Sequence, residues 1–576
     1  MKVRALLVAL AAPFAPAAPA LAAPDLAPPA AAFTVELAPD PERPPRLIDP
    51  RLFGHFLERP SWQGETGPEA ALLPGTRTLR PDVVALMRRL RIPLLRFPGG
   101  TDVDWQDWTD LIDDAPGRPD SARPVWPGRR GEAVTQEFGY PEFFALAEEL
   151  GAETLVVVNL LDALAGRKPL AEAARHAAGL VAYANAPLGA ALPAGMPDWP
   201  ALRARHGRAE PWGLRYVQLG NEPWLRDFRS TVLAHLGHED PGRHATWVAD
   251  ALAAYAEAIH AVDPTVELII DGRYWLGIEE HVLADPRLRA AVRHVTFHTY
   301  SPFGARGLWR EEQRLDPAEA ALRPLDWWWA YVTRDGDRPD PRGRASFTEH
   351  AAERARATAL GYAIAVTEWN YNTWWEVPRD QRPAFSLRAA AGPGLATLLH
   401  GLLREETIGL ANQSLLVGRS WEITGIRVYP DEPGRPAHLL PQAAVMALYN
   451  THRGERFLDL LVEGNPRHTL AYAAQKWESA RPREAHALEA IATFTPGERL
   501  VLHLVNRHPE RPARVVLSPA LLALLPGAAQ ARLHTLAYEI ADWSPADPAE
   551  ADAATALAAG AVELPARSVN VLVLTR

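Results

Sequence analysis

Tyr216-Val217-Gln218-Leu219-Gly220-Asn221-Glu222-Pro223-Trp224 is the stretch on which the fold of this chain turns. A short apolar run reads as a buried strand and delivers a carboxylate at its C-terminal end. Ile364-Ala365-Val366-Thr367-Glu368-Trp369-Asn370 does the same with Glu368. In a parallel α/β barrel that end is where chemistry happens. A Glu after one apolar strand is most often a solvated loop residue. Two of them, each beside Asn and Trp, point to one cleft, and two carboxyl groups facing a cleft are the minimum equipment for breaking a glycosidic bond.

Outward from these two strands, apolar runs alternate with helical patterns, the signature of parallel βα units. Eight strands are expected: Leu52–Phe56, Ile92–Phe97, Thr154–Leu160, Arg215–Gly220, Val266–Asp271, His294–His298, Ala363–Glu368 and Gly409–Val417. Helices are expected between them, including one from Pro81 to Leu90 with apolar Val84, Leu86, Met87 and Leu90. Eight units close into a (β/α)₈ TIM barrel, with Glu222 after the fourth strand and Glu368 at the end of the seventh. Asp102–Phe138, Leu225–Pro241 and Ser301–Arg344, which carries Trp327-Trp328-Trp329, are too long for simple turns and follow strands. They belong to the face that carries the cleft.

After about residue 454 the pattern changes to short strands separated by turns, at Leu458–Val462, Thr469–Ala474, Ala487–Phe494, Leu500–Asn506, Ala513–Leu517, Arg532–Tyr538 and Ser568–Leu574. This predicts a C-terminal antiparallel β-sandwich, joined by Phe33–Leu37 from before the barrel. The chain thus divides into a signal peptide (1–22), a linker and first strand joining the sandwich (23–50), the catalytic barrel (51–453) and the sandwich (454–576).

The chain has 576 residues, a formal net charge of -10 and no cysteine. That length exceeds one ordinary domain. The absence of long basic runs argues against nucleic acid as a partner. Lys2 and Arg4, the apolar stretch to Ala18 and the small-x-small Ala20-Leu21-Ala22 read as an export signal, which predicts a secreted or periplasmic protein. A disordered Ala/Pro-rich start is the alternative. No later apolar stretch approaches the roughly 20 residues of a membrane span. Without cysteine there is no disulfide, thiol nucleophile or thiolate metal site.

Retaining glycosidases hold their carboxyl groups about 5–5.5 Å apart, one ionised and the other carrying a proton. Asn221 is placed to meet a sugar hydroxyl beside the scissile bond. Arg96, ending the second strand, can keep a neighbouring nucleophile ionised, or it can be a structural ion pair. Gly99-Gly100 permits close backbone approach but lacks the spacing of a phosphate loop. Glu58, after the first strand, binds sugar hydroxyls or lies at the surface. Tyr300, after the sixth, can donate to the nucleophile. His55 and His298 lack metal-site spacing and read as satisfied core histidines; no metal and no organic cofactor are expected. Trp105, Trp108, Trp224, Trp369, Trp374 and Trp375 offer flat faces suited to sugars, although core packing is the commoner use of a Trp.

The chain resembles the glycoside hydrolases of clan A, whose acid/base and nucleophile end the fourth and seventh strands. Within the clan it is most similar to family 51, the α-L-arabinofuranosidases. Gly54-His55-Phe56-Leu57-Glu58 is similar to that family's first-strand motif, Arg96-Phe97-Pro98-Gly99-Gly100 to its Arg-Tyr-Pro-Gly-Gly, and Gly220-Asn221-Glu222 to its acid/base motif. His298-Thr299-Tyr300 is similar to its His-x-Tyr and Glu368-Trp369-Asn370 to its nucleophile motif. Asn412-Gln413-Ser414-Leu415-Leu416 resembles the eighth-strand segment whose Gln contacts the sugar, and Pro565–Leu572 the closing strand of its sandwich. The resemblance implies Glu222 as acid/base and Glu368 as nucleophile. Four positions depart from the pattern: Thr101 for Asn, Pro223-Trp224 for Met-Asp-Gly, Thr367 for Asp before the nucleophile, and Arg59 for His. Thr101 and Trp224 are thereby candidates for altered sugar contacts.

The leading expectation is a secreted retaining exo-glycosidase that releases α-L-arabinofuranosyl units from a carbohydrate substrate. An endo-β-glucanase or β-xylosidase is the alternative within the same chemistry; an open groove favours endo action and a closed pocket exo action. A non-catalytic carbohydrate-binding protein on a decayed barrel, or a structural envelope protein, would have no reason to retain the carboxyl pair with Asn221 and Arg96. Nothing in the sequence bears on oligomeric state.

Overall fold

The computed structural model describes residues 30–129, 131–237, 240–303, 342–372, 386–432, 434–470, 483–538 and 547–576. The expected signal peptide, the Trp327–Trp329 run, Trp374 and Trp375 lie outside these residues.

Gly54–Phe56, Leu94–Phe97, Glu153–Val158, Tyr216–Leu219, Glu267–Asp271, His294–Phe303, Ala363–Asn372 and Ile408–Gln413 form a closed barrel of parallel strands, the last pairing with the first. The expected fold class is borne out, with shifts at strand ends. Pro50–Phe53 is a 3-10 turn capped by the Asp49 side chain, so the first strand starts only at Gly54. The eighth ends at Gln413; Val417–Gly418 pairs instead with Ile426–Arg427 in a small separate sheet. Part of the expected Leu225–Pro241 loop is the helix Arg226–Leu236.

Alternation along the strands sorts side chains into two populations. Leu94, Leu155, Val157, Tyr216, Ile269, Ala365 and Leu410 pack together inside the barrel. Their neighbours Leu95, Val156, Val217, Leu268, Ile270, Ile364 and Ala411 face the surrounding helices. Two residues further along the inward faces come Arg96, Gln218 and Asp271, so an apolar floor carries a polar layer at the mouth.

The seventh strand breaks this alternation. Thr296 pairs with Ala365 and His298 with Glu368, while on the other side Ala411 pairs with Val366 and Gln413 with Trp369. Both neighbours therefore see one extra residue in Ala363–Asn372, a β-bulge. The bulge lets consecutive residues Thr367 and Glu368 both reach partners in the barrel mouth, while Trp369 returns to the outer core.

The sandwich strands run in the order Ala549–Asp552, Gln530–Ala537, Ser568–Thr575, Arg499–Asn506, Leu488–Thr495, Arg456–Glu463, Phe33–Pro39, Ala513–Leu517, Val562–Leu564. Arg456–Glu463 pairs with Leu488–Thr495 through its first half and with Phe33–Pro39 through its second, so this strand passes from one layer to the other. Pairing is antiparallel except that Phe33–Leu37 runs parallel to Ala513–Leu517. The described part of the expected Thr469–Ala474 strand belongs elsewhere: among the described residues Arg467–Leu470 pairs with Arg483–His486 in a separate two-stranded sheet.

One face of the sheet, with Leu500, Leu502, Leu504, Leu572 and Leu574, closes the sandwich core. The other, with Ile491, Val501, Val505, Val569 and Val571, joins the barrel core beside helices Ser386–Arg404 and Pro441–His452. Burying both faces requires a partner for each. A charged cluster ties the same seam. The buried Arg404 donates to Asp459 at 2.9 Å, to Glu489 at 2.6 Å and to the carbonyls of Ala345 and Ala490 at 2.9 Å. Arg344 bridges Asp40 at 2.6 Å and Asp459 at 2.9 Å. Although burial opposes it, Arg404 and His400 hold the Glu489 carboxyl well below the usual carboxylate range.

Removing one member of a buried charge cluster strands the rest, at a cost of about 3–5 kcal/mol. Arg404→Met is expected to lower stability by about that amount, read from the urea midpoint by tryptophan fluorescence. A change under about 1 kcal/mol, the scale of an exposed pair, would contradict the seam. A chain ended at residue 453 is expected to be insoluble; a soluble, active truncated chain would refute the same seam.

Candidate active site

Arg96, fully buried on the second strand, organises the mouth. Its guanidinium donates to Glu368 Oε1 at 3.0 Å, Asn221 Oδ1 at 2.6 Å and Gln218 Oε1 at 3.3 Å, and lies over the Phe56 ring at 4.3 Å. Four strands are thereby gathered on one side chain. The planar fork of Arg suits it to bind several fixed acceptors at once.

Glu368 also accepts from the Tyr300 hydroxyl at 2.8 Å, and its side chain is 7% exposed. Burial opposes ionisation of Glu368, but His298, Arg96 and the Tyr300 hydroxyl outweigh it and hold the carboxyl below its usual value. Burial and the nearby Glu368 push the Tyr300 phenol well up, so it stays a proton donor.

Glu222 lies just beyond the fourth strand with φ near 49°, the left-handed region that non-glycine residues seldom adopt. Its backbone is steered by its neighbour: Asn221 N–H donates to Asp104 Oδ2 at 2.8 Å. Asp104 also accepts from the backbone of Leu160 and Leu161, and burial pushes its carboxyl up to about 7. The Glu222 side chain is 17% exposed and meets His298 Nδ1 at 3.0 Å. One oxygen of Glu222, one of Glu368 and a ring nitrogen of His298 all lie within 4.8 Å of one another. Among the described residues this grouping could also surround a metal ion. Its atoms are instead engaged with each other, Arg96 and Tyr300, which defines a proton-sharing cluster.

The other candidates surround this pair in different ways. Glu58 is buried, its Oε1 has no hydrogen-bond partner, and burial with nearby Glu368 pushes its carboxyl well above the usual range. Gly100 must be glycine: its φ is near 67° and a Cβ would stand 1.8 Å from Glu58 Oε1. Thr101 opens the short 3-10 turn Thr101–Trp105 immediately after it. Gln413 is buried at the end of the eighth strand with both amide atoms unpartnered, and Asn221 Nδ2 is also unpartnered. Trp224 sets its ring edge-on to His298 at 5.6 Å, with Arg273 over it at 5.3 Å. Trp369 and Trp108 are core residues, whereas Trp105 packs against Phe228 and carries Arg129 over its ring. Arg59 is a structural ion pair with Glu69 at 2.7 Å.

Three residues stand apart from the sequence expectation. His298 is no satisfied core histidine but bridges the two glutamates; its place two residues before Tyr300 on the same inward face was the signal. His55 does sit in the core, but both its ring nitrogens lack partners. Asp271, buried at the end of the fifth strand with both oxygens unpartnered, is a further carboxyl group that the sequence does not single out. Its signal was that of Glu222, an apolar strand closing on a carboxylate. Burial, with Glu222 and Asp104 as like-charged neighbours, pushes the Asp271 carboxyl well above its usual range.

Comparison with known proteins bears on the fold and the family resemblance. Residues 86–301 match the family model described as the alpha-L-arabinofuranosidase 1 domain. An intracellular exo-alpha-(1->5)-L-arabinofuranosidase of Streptomyces lividans is 31% identical over 281 residues, 46% of this chain and 37% of the relative. A Bacillus subtilis protein of the same kind is 28% identical over 263 residues, 44% of this chain and 46% of the relative. The chain thus spans less than half the length of the curated relatives it matches. The structure of an alpha-L-arabinofuranosidase from Thermotoga maritima superposes with a TM-score of 0.64 at 19% identity, covering 95% of this chain and 100% of that one. The resemblance to clan A glycoside hydrolases, and within them to family 51, is borne out.

The comparisons also overturn one expectation. The relatives from S. lividans, B. subtilis, Halalkalibacterium halodurans and Acetivibrio thermocellus are named intracellular. The secreted or periplasmic placement read from the N-terminus therefore does not hold. No helix among the described residues is long and apolar enough to cross a membrane.

The raised Asp271 carboxyl makes a pH-dependent prediction. Well below about pH 4, where a free aspartate titrates, the folded and unfolded chains both hold this proton. As pH rises further the unfolded chain releases it and the folded chain does not, so wild type loses stability relative to Asp271→Asn. The variant's advantage is expected to grow from pH 4 to pH 7, by up to about 1.4 kcal/mol per pH unit, in paired thermal melts. An advantage that stays constant or shrinks would mean Asp271 is ionised in the folded protein.

Proposed function

We propose that this protein is a retaining glycoside hydrolase that releases α-L-arabinofuranosyl residues from oligosaccharides or polysaccharides. One observation carries the reading: two carboxyl groups with oxygens within 4.8 Å stand in opposite surroundings. Glu368 is gripped by Arg96 and Tyr300 and held ionised; Glu222 is more exposed and meets His298. That spacing suits double displacement rather than inversion, which needs about 6.5–9.5 Å to admit water. The names of the relatives, exo-alpha-(1->5)-L-arabinofuranosidases, support the reading of the glycone and the exo mode.

In this reading a Glu368 oxygen attacks the anomeric carbon as the glycosidic bond breaks. Glu222 gives its proton to the departing oxygen. The bond formed is an ester between the sugar and Glu368. Glu222, now a carboxylate, takes a proton from water, the water oxygen attacks the anomeric carbon, and Glu368 leaves as carboxylate. Asn221, Glu58 and Gln413 offer their unpartnered polar atoms to sugar hydroxyls, since buried polar groups normally find partners. Thr101 and Trp224 tune which sugar and which leaving group fit.

Glu222→Ala is expected to slow glycosides with poor leaving groups by about 10²–10⁴-fold, the usual worth of general acid catalysis. Activated aryl glycosides, which depart without a proton, should lose far less in kcat. Equal losses on both substrates would remove Glu222 from this role. NMR of the first-formed product should show the anomer of the substrate; the opposite anomer would exclude double displacement.

Thr101→Asn should raise kcat/KM on arabinofuranosides relative to other aryl glycosides by up to about tenfold, the scale of one hydrogen bond. An unmoved ratio would take Thr101 out of the specificity set.

A further inference from the structure

His298 stands between the two glutamates, with Nδ1 at 3.0 Å from Glu222 Oε1 and 3.6 Å from Glu368 Oε2. Its Nε2 meets Thr367 Oγ1 at 3.0 Å, and Thr367 Oγ1 meets Thr296 Oγ1 at 2.7 Å. Thr296 Oγ1 also accepts the Thr367 N–H at 3.1 Å. Both threonines are fully buried, which favours the arrangement that leaves no hydroxyl proton without an acceptor.

We propose that Thr296 and Thr367 are positioning residues that fix His298 as a neutral imidazole carrying its proton on Nδ1, so that the ring donates to Glu222 Oε1 and leaves Oε2 to carry the catalytic proton.

The direction follows from counting hydrogens. If Thr296 donates to Thr367, Thr367 donates onward to Nε2, and every hydroxyl proton in the chain is used. Run the other way, Thr296 Oγ1 accepts twice, and its own proton has no acceptor among the described residues. Nε2 is therefore the lone-pair nitrogen, and the proton sits on Nδ1. A proton on Nδ1 also suits its neighbours, because a lone pair there would face an ionised Glu368.

Charge agrees with this assignment. Glu368 is already paired with Arg96 at 3.0 Å, so the ring is not needed as its counter-ion. The remaining groups around the ring add no anion to call for one. Asp271 and Glu58 are pushed toward their neutral forms by burial. The Tyr300 phenol keeps its proton. His350, which meets the His298 backbone, is pushed down to about 4 by burial. Arg273 lies on Trp224, the ring that meets His298 edge-on.

The mechanistic gain is selectivity between the two oxygens of Glu222. An N–H held on Oε1 disfavours protonation there, so the proton resides on the other oxygen, where a leaving group can take it. A carboxylate in place of Thr367 could only accept from Nε2. The ring would then carry two protons and place a positive charge beside Glu222.

The kinetic arm of the test rests on the glycosidase reading; the spectroscopic arm does not. Long-range ¹H–¹⁵N spectra of histidine-labelled wild type at pH 7 should show Nδ1 protonated and Nε2 bare, with His298 identified by its loss in His298→Ala. In Thr367→Asp both nitrogens should be protonated. A bare Nδ1, or a doubly protonated ring in wild type, overturns the inference whether or not the protein turns over substrate. In kinetics, Thr367→Ser should superpose on wild type, and Thr367→Val should lose about tenfold in kcat with KM little changed, one hydrogen bond's worth. Thr367→Asp should move the alkaline limb of kcat/KM down by about one pH unit or more, the usual effect of an opposite charge on a neighbouring carboxyl. A Thr367→Val enzyme within about twofold of wild type, below what one hydrogen bond supplies, also overturns it. Wild type inert on every glycoside would sink the proposed function, while the protonation pattern read from the spectra would still uphold or overturn the placement of the His298 proton.

Discussion

One guanidinium holds the site together. Arg96 rises from the second strand and binds acceptors on the fourth strand, just beyond it, and on the seventh, while lying on an aromatic ring of the first. A buried cation is tolerable only where acceptors surround it. Those acceptors are then fixed by the same requirement: Glu368 is held ionised, and Asn221 is oriented so that its amide nitrogen remains unpartnered. The glutamate beside Asn221 is left outside the grip of Arg96, which is what allows two chemically identical side chains to differ.

The surroundings serve that asymmetry. The bulge in Ala363–Asn372 turns two successive residues into the mouth, so Glu368 reaches Arg96 while Thr367 reaches His298. Glycine at position 100 lets Glu58 approach where any side chain would collide. Asp104 gathers three backbone N–H groups, one of them belonging to Asn221, and so sets the turn that aims Glu222. Beneath the barrel side, the sheet that packs on helices Ser386–Arg404 and Pro441–His452 makes the sandwich part of the barrel's own core.

Much of this was legible in the sequence because it is carried by local pattern. Alternating apolar strands and helical stretches specify the barrel, and Gly-Asn-Glu and Glu-Trp-Asn each stand at a strand end. What escaped depends on pairs distant in the chain. His298 looks like any core histidine until the barrel closes and brings Glu222 and Glu368 to one ring nitrogen. Asp271 carries the same end-of-strand signal as Glu222 but has no flanking Asn or Trp to mark it. The bulge is invisible because one extra residue in a strand changes register without changing composition. The sheet of Arg467–Leu470 with Arg483–His486 shows the same limit, since alternation identifies a strand and not its partner. The Ala/Pro-rich N-terminus satisfied the rules for an export signal, yet relatives of this chain are named intracellular; composition alone does not separate a signal from a small-residue leader.

The mechanism stands on Glu368 forming a bond to the sugar. An arabinofuranoside with a good leaving group and an electron-withdrawing substituent at C2 should slow the second step more than the first, so the ester accumulates. Mass spectrometry of the intact protein should then show one added sugar, and peptide mapping should place it on Glu368. Label on any other residue, or full turnover with no trapped ester at any time, would contradict the mechanism.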